Sequence, residues 1–288
     1  MNNLPTSQFN FYIPNHWICK TTLTLSLAFS LVACGSLGQN TSNVVLSASD
    51  ATPAELYSQA KQQLNKSNWS AAIESMEKVQ NADSLGIYGQ QALLDSAYAQ
   101  WKDEEPALAL SLIERYLRQF PKSEGMPYAL YLKGLINFDR NTDMISLLNK
   151  EHLSERDPQS LQDSYESFAL LSQTYPTSQY AKEANERIPY ILKTLAKHEL
   201  NIALFYLRNN APIAAIGRAQ NILKTYPQVA LQEDALGVIA EAYRQTDMYE
   251  ARENTLSVLR ENYPNSLHLL PNASVLYKAP SKSWFKFW

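Results

Sequence analysis

A pair of small residues 12 positions apart recurs along this 288-residue chain: Ala60 and Ala72, Ala97 and Ala109, Ala203 and Ala215. Ala240 and Ala251 repeat it one residue short. Prolines keep the same step. Pro121, Pro227 and Pro264 each lie 24 residues after the first small residue of their unit, and an aromatic precedes each proline in Phe120-Pro121, Tyr175-Pro176, Tyr226-Pro227 and Tyr263-Pro264. Close packing explains such a rhythm. One small residue on each of two helices lets their backbones approach, and a bulky residue at either point would drive them apart. The proline then ends the second helix, because it has no N–H and its ring clashes with the preceding turn. A hairpin of two short helices cannot bury its apolar face alone, so several must stack.

The spacing resembles the tetratricopeptide repeat (TPR), a helix-turn-helix unit of about 34 residues. The expected fold is therefore all-α, a right-handed superhelix of about five hairpins. The units run about 53–82, 88–121, 126–176, 190–227 and 231–264. Unit three is irregular: its small positions are Gly134 and Ser164, separated by 30 residues, and an insertion near 141–158 is expected to hold a loop or a short extra helix. Only 8 glycines occur, which argues against an all-β or Rossmann-type chain. The 45% hydrophobic content suffices for a sizeable core.

The N-terminus carries a second signal. Thr21 to Ala33 is an apolar run preceded by Lys20 and ending in Leu31-Val32-Ala33-Cys34-Gly35. The run has signal-peptide length and is too short to span a bilayer. Small residues ahead of a cysteine resemble a bacterial lipobox, which makes 1–33 a signal peptide, Cys34 the lipidated residue and 34–52 a flexible tether. An ordinary signal peptide with an incidental Cys34 is the alternative. Residues 1–20 are long for the region that precedes such a run, and a start inside them stays open. Cys19 would leave with the signal and Cys34 would carry lipid, so disulfide, thiolate-metal and cysteine-nucleophile chemistry fall together. Several acyl chains would give stable anchoring where one gives only marginal binding. Gly35, rather than an aspartate, fits the sorting pattern for the outer membrane.

The chain resembles the BamD (ComL) family of lipoproteins of the β-barrel assembly machine over about residues 31–264. The stretches that carry the likeness, beside the lipobox and the five units, are Tyr88-Gly89-Gln90-Gln91, Arg156-Asp157-Pro158-Gln159, Tyr175-Pro176-Thr177-Ser178-Gln179-Tyr180 and Ala242-Tyr243-Arg244-Gln245. One departure is Asp83-Ser84-Leu85-Gly86-Ile87, where the family usually has Tyr-Pro ahead of the glycine. The resemblance implies a non-enzymatic scaffold of the BAM complex in a Gram-negative outer membrane, anchored by lipid and facing the periplasm. It implies binding to the POTRA domains of BamA, contact with other BAM lipoproteins, and recognition of the C-terminal β-signals of unfolded outer-membrane proteins. It also implies a BamA contact at Arg218, in the second helix of unit four. Another TPR envelope lipoprotein, acting as a cell-wall or protein-complex adaptor, is the alternative.

Other chemistry is not indicated. No GxSxG, HExxH, P-loop or GxGxxG motif occurs, and His152, His198 and His268 lack metal-ligand spacing. No catalytic residue, metal or cofactor is expected beyond the lipid on Cys34. With 25 basic against 28 acidic residues, the chain is a poor nucleic-acid binder. In stacked hairpins of this kind the first helix of each unit lines the concave groove. Positions 3 before, 1 after and 4 after each small residue share one face. They give Tyr57, Lys61 and Leu64; Leu94, Tyr98 and Trp101; and Tyr131, Leu135 and Phe138, with Tyr128 one turn earlier. Of these, Tyr57, Lys61, Leu94, Tyr98, Trp101, Tyr128, Tyr131 and Phe138 form the candidate substrate groove, suited to an extended peptide that ends in an aromatic. Residues 265–288 read as a basic-aromatic tail, Lys278 to Trp288 above all, a candidate dock for a partner subunit or the lipid interface.

Overall fold

The computed structural model describes residues 51–142 and 158–277. The chain divides into two units, 1–45 and 46–288, and every described residue belongs to the second. The signal peptide, Cys34, nearly all of the tether, residues 143–157 of the insertion and the end of the tail from 278 lie outside the described residues.

Ten α-helices and two short 3-10 turns make up the described part, which contains no strand. The helices pair as A and B: α1 Pro53–Asn65 with α2 Trp69–Ala82, α3 Ile87–Lys102 with α4 Pro106–Gln119, α5 Met126–Thr142 with α6 Gln159–Thr174, α7 Gln179–Arg208 with α8 Pro212–Thr225, and α9 Gln232–Gln245 with α10 Tyr249–Asn262. Successive A helices also touch, α1 with α3, α3 with α5, α5 with α7 and α7 with α9. This is the stacked-hairpin fold expected of TPR units.

Small residues sit where the hairpins are tightest. Ala60, Ala72, Ala97, Ala109, Ala203 and Ala215 are all fully buried. In unit three the Ser164 hydroxyl donates to the Gly134 carbonyl at 2.9 Å. A Cβ on Gly134 would lie 2.4 Å from the Phe168 ring, so no side chain fits there. The A-to-B turns of units one, two, four and five are nearly identical. Each holds three residues, and the middle one is left-handed: Ser67, Glu104, Asn210 and Asp247, with φ between 55° and 64°. The amide of the third turn residue reaches back to close the end of helix A, as in Asn68 to Gln63 at 3.0 Å and Ala211 to Tyr206 at 2.9 Å. Pro106 and Pro212 then open helix B at its first position, where a missing N–H costs nothing. Helix B ends at the aromatic that precedes proline, Phe120, Tyr175, Tyr226 or Tyr263, because a residue before proline is pushed out of the helical region.

Asp83 opens the stretch to Ile87 that departs from the family pattern. Its carboxylate accepts from the amides of Tyr88 at 3.0 Å and Gly89 at 3.4 Å, so it caps the start of α3.

Two expectations change. Unit four does not begin near 190: α7 is one 30-residue helix from Gln179, with Pro189 inside it. Its first half packs in a core with Phe168, Leu171 and Tyr131, and its second half packs with α8 and α9. Pro189 lies on the exposed side, where water can satisfy the carbonyl that loses its helical partner. The second change is at the end of the array. The first part of the supposed tail, 265–277, folds into turns at Leu267–Leu269 and Ala273–Tyr277, and Tyr277 is only 7% exposed within the core of units four and five.

Candidate functional site

The A helices of units one and two meet around one buried acid. Asp95, on α3, is 1% exposed. Its carboxylate accepts a hydrogen bond from the Tyr57 hydroxyl at 2.7 Å and pairs with the Lys61 ammonium at 3.2 Å, both from α1. Burial pushes the Asp95 carboxyl above its ordinary range, while the Lys61 charge and the Tyr57 hydrogen bond oppose the shift. Burial, then Asp95, pushes the Tyr57 hydroxyl far up, and the same two causes act in the same order on Tyr98 and Tyr128. These phenols therefore stay neutral donors with apolar bodies.

Aromatic contacts spread outward from that acid. Tyr98 meets Trp69 and Trp101 edge-on, with ring centroids 6.2 and 6.1 Å apart. Lys102 lies 3.8 Å above the Trp101 ring, a cation–π contact. Tyr57 also meets Tyr88 at 5.8 Å. On α5, Tyr128 and Tyr131 pack against Tyr180 of α7 at 5.4 and 5.0 Å. The Tyr131 hydroxyl donates to Glu183, which pairs with Arg187. Arg187 in turn lies 5.9 Å above Phe138, whose ring meets Tyr190.

Of the eight groove residues read from the sequence, Tyr57, Lys61, Tyr98, Trp101, Tyr128 and Phe138 are partly exposed on this face. Leu94 and Tyr131 are corrected to core positions, at 6% and 7% exposed. Leu94 packs into the core of α3, α4 and α5, and the Tyr131 ring is sandwiched between Phe168 and Tyr180. Leu64 is likewise buried.

Sequence reasoning missed Asp95, Tyr180, Glu183, Arg187 and Tyr190. Asp95 left a visible trace, as the lone charge in Ala92-Leu93-Leu94-Asp95-Ser96-Ala97. Tyr180 was visible only as the end of the stretch Tyr175 to Tyr180, and Glu183 and Arg187 fall between units three and four as the repeat spacing bounds them.

Arg218 lies on α8, distant in sequence from this network. Its guanidinium pairs with Glu199 of α7 at 3.2 Å and remains 44% exposed. Among the described residues, no cluster of His, Cys, Asp and Glu could hold a metal, and no helix is long and apolar enough to cross a membrane.

The profile of the YfiO family, described as an outer membrane lipoprotein, matches residues 49–266. A protein of Neisseria meningitidis serogroup B named outer membrane protein assembly factor BamD is 32% identical over 269 residues, covering 93% of this chain and 99% of its own. The proteins of that name from Xylella fastidiosa strain Temecula1 and from Vibrio cholerae are each 36% identical, over 76% and 74% of this chain and 75% and 88% of theirs.

Proposed function

Because the chain belongs to the YfiO family of outer membrane lipoproteins, with assembly factors named BamD among its relatives, we propose that it is the BamD subunit of a barrel-assembly complex. It acts in outer-membrane protein assembly as a scaffold, not an enzyme. Cys34 carries the lipid that tethers it, and the stacked hairpins face the periplasm. Its A-helix face receives an extended segment of an unfolded outer-membrane protein, while the α7–α8 side holds BamA and the remaining BAM lipoproteins.

The aromatic face around Asp95 carries this reading. Rigid rings cost little entropy to present, and Trp, Tyr and Arg dominate binding hot spots. An apolar floor with phenol donors and the bases Lys61 and Lys102 suits a segment that ends in an aromatic and a carboxylate. Tyr98→Ala with Trp101→Ala should weaken photo-crosslinking to a β-signal peptide while helicity holds; undiminished crosslinking in a folded double variant removes the groove assignment.

Arg218 is the candidate BamA contact. It is half exposed, and its pairing with Glu199 holds the side chain in one orientation, ready to accept an acidic partner. Arg218→Glu would set two like charges side by side and present the wrong sign to that partner. It should release BamA on affinity purification from detergent-solubilised outer membranes. Full retention of BamA counts against the role of Arg218, and purification of the wild-type chain without any barrel subunit counts against the BAM reading altogether.

A further inference from the structure

The groove register continues past unit three. Applied to units four and five, positions 3 before and 1 after the small residues Ala203 and Ala240 are Leu200 and Leu204 on α7, and Gly237 and Glu241 on α9. In units one and two the corresponding positions include Tyr57, Lys61 and Tyr98, all partly exposed. In units four and five Leu200, Gly237 and Glu241 are buried, and Leu204 beside them is partly exposed. The His268 ring sits on Gly237 so closely that a Cβ there would lie 2.4 Å from it. Tyr277 stacks on His268 with centroids 5.8 Å apart and donates or accepts a 2.6 Å hydrogen bond at Nδ1. Leu200, Leu204 and Val238 form the apolar wall of this place, and Glu233 and Asp234 add acidic groups.

We infer that residues 265–277 are a strap bound in cis, filling in units four and five the groove that units one to three leave open, and that this stretch of groove takes an aromatic side chain from an extended peptide when Tyr277 is displaced. The inference rests on the groove reading proposed above. The strap's own chemistry describes the occupant: a planar ring set against an imidazole and leucines. Tyr277 and Leu269 pack into the cores of units four and five, the Tyr277–His268 bond is internal to the strap, and His268 Nε2 meets Asp234 of α9 at 3.3 Å. A cavity of about 280 Å³ remains between strap and helices, enough for another ring.

The test places a photo-crosslinking side chain at Leu204 of the full chain, with a second version carrying it at Tyr98. Each is probed with a synthetic peptide ending in an aromatic, with and without Tyr277→Ala. The expected result is capture at Tyr98 in both backgrounds and capture at Leu204 that rises several-fold in Tyr277→Ala. Gly237→Ala, which expels the His268 ring while leaving Tyr277 intact, should raise it likewise and guards against a folding defect in one variant. Equal capture at Leu204 in all backgrounds, or none in any while Tyr98 still captures, overturns the strap. Loss of capture at Tyr98 as well would instead strike the groove reading beneath it.

Discussion

Replacing Asp95 by alanine removes a buried acid that ties the first hairpin to the second. Asp95 is 1% exposed and serves Tyr57 at 2.7 Å and Lys61 at 3.2 Å, both on α1. Breaking a buried ion pair by deleting one partner costs about 3–5 kcal/mol, because the other charge is left without compensation. Here Lys61 keeps 27% of its side chain in water, which can take over part of its solvation. Asp95 itself is also held at a desolvation cost that its removal relieves. We therefore expect about 2–4 kcal/mol, toward the lower side of that range. In a stacked array each unit touches mainly its neighbours, so the loss should appear locally. Amide hydrogen exchange resolves this. Since each 1.36 kcal/mol is a factor of ten, α1 and α2 should exchange about 30- to 1,000-fold faster, while α9 and α10 keep their rates. The double variant Asp95→Leu with Lys61→Met, which replaces the pair by apolar groups, should recover most of the loss. Protection in α1 and α2 unchanged within a factor of about two, a shift below ~0.5 kcal/mol, would refute the view that this acid locks the first hairpin. So would equal acceleration at both ends of the array.

Two further perturbations test the hairpin geometry. Gly134→Ala should destabilise by about 1–3 kcal/mol in chemical denaturation, since its methyl must displace the buried Phe168 ring, and the better helix propensity of alanine offsets only part of that; a stabilised variant would mean that unit three does not close as tightly as the Gly134–Ser164 contact implies. At Glu104, where φ is 64°, valine should lower stability by about 1–2 kcal/mol and glycine should not, so a pair of thermal melts with the same midpoint would deny the left-handed turn.

Much of the fold was legible because a repeat states its geometry many times over. The small pairs marked where helices touch, and the aromatic-proline steps marked where helix B ends; Ala60 with Ala72 and Tyr226 with Pro227 could be placed without a structure. These are local rules, set by backbone sterics within a few turns of chain. The family likeness was legible for a similar reason, since it rests on contiguous stretches.

What the sequence did not declare came from contacts between distant segments. Leu94 and Tyr131 share the helical phase of Tyr98 and Phe138, yet neighbouring helices bury them, and phase alone does not say how far a neighbour reaches over a face. The unit register placed the start of unit four near 190, whereas α7 runs unbroken from Gln179; two separate cores, one gripping each half of α7, outweigh the single hydrogen bond that Pro189 removes. Asp95 reads as one more acid until Tyr57 and Lys61 arrive from a helix more than 30 residues away. His268 and Tyr277 read as part of a loose tail until Gly237 provides the gap that admits them. Periodicity determined which residues form hairpins. Tertiary packing alone decided which faces stay open, because exposure depends on everything that stacks above a residue and not on its place in the repeat.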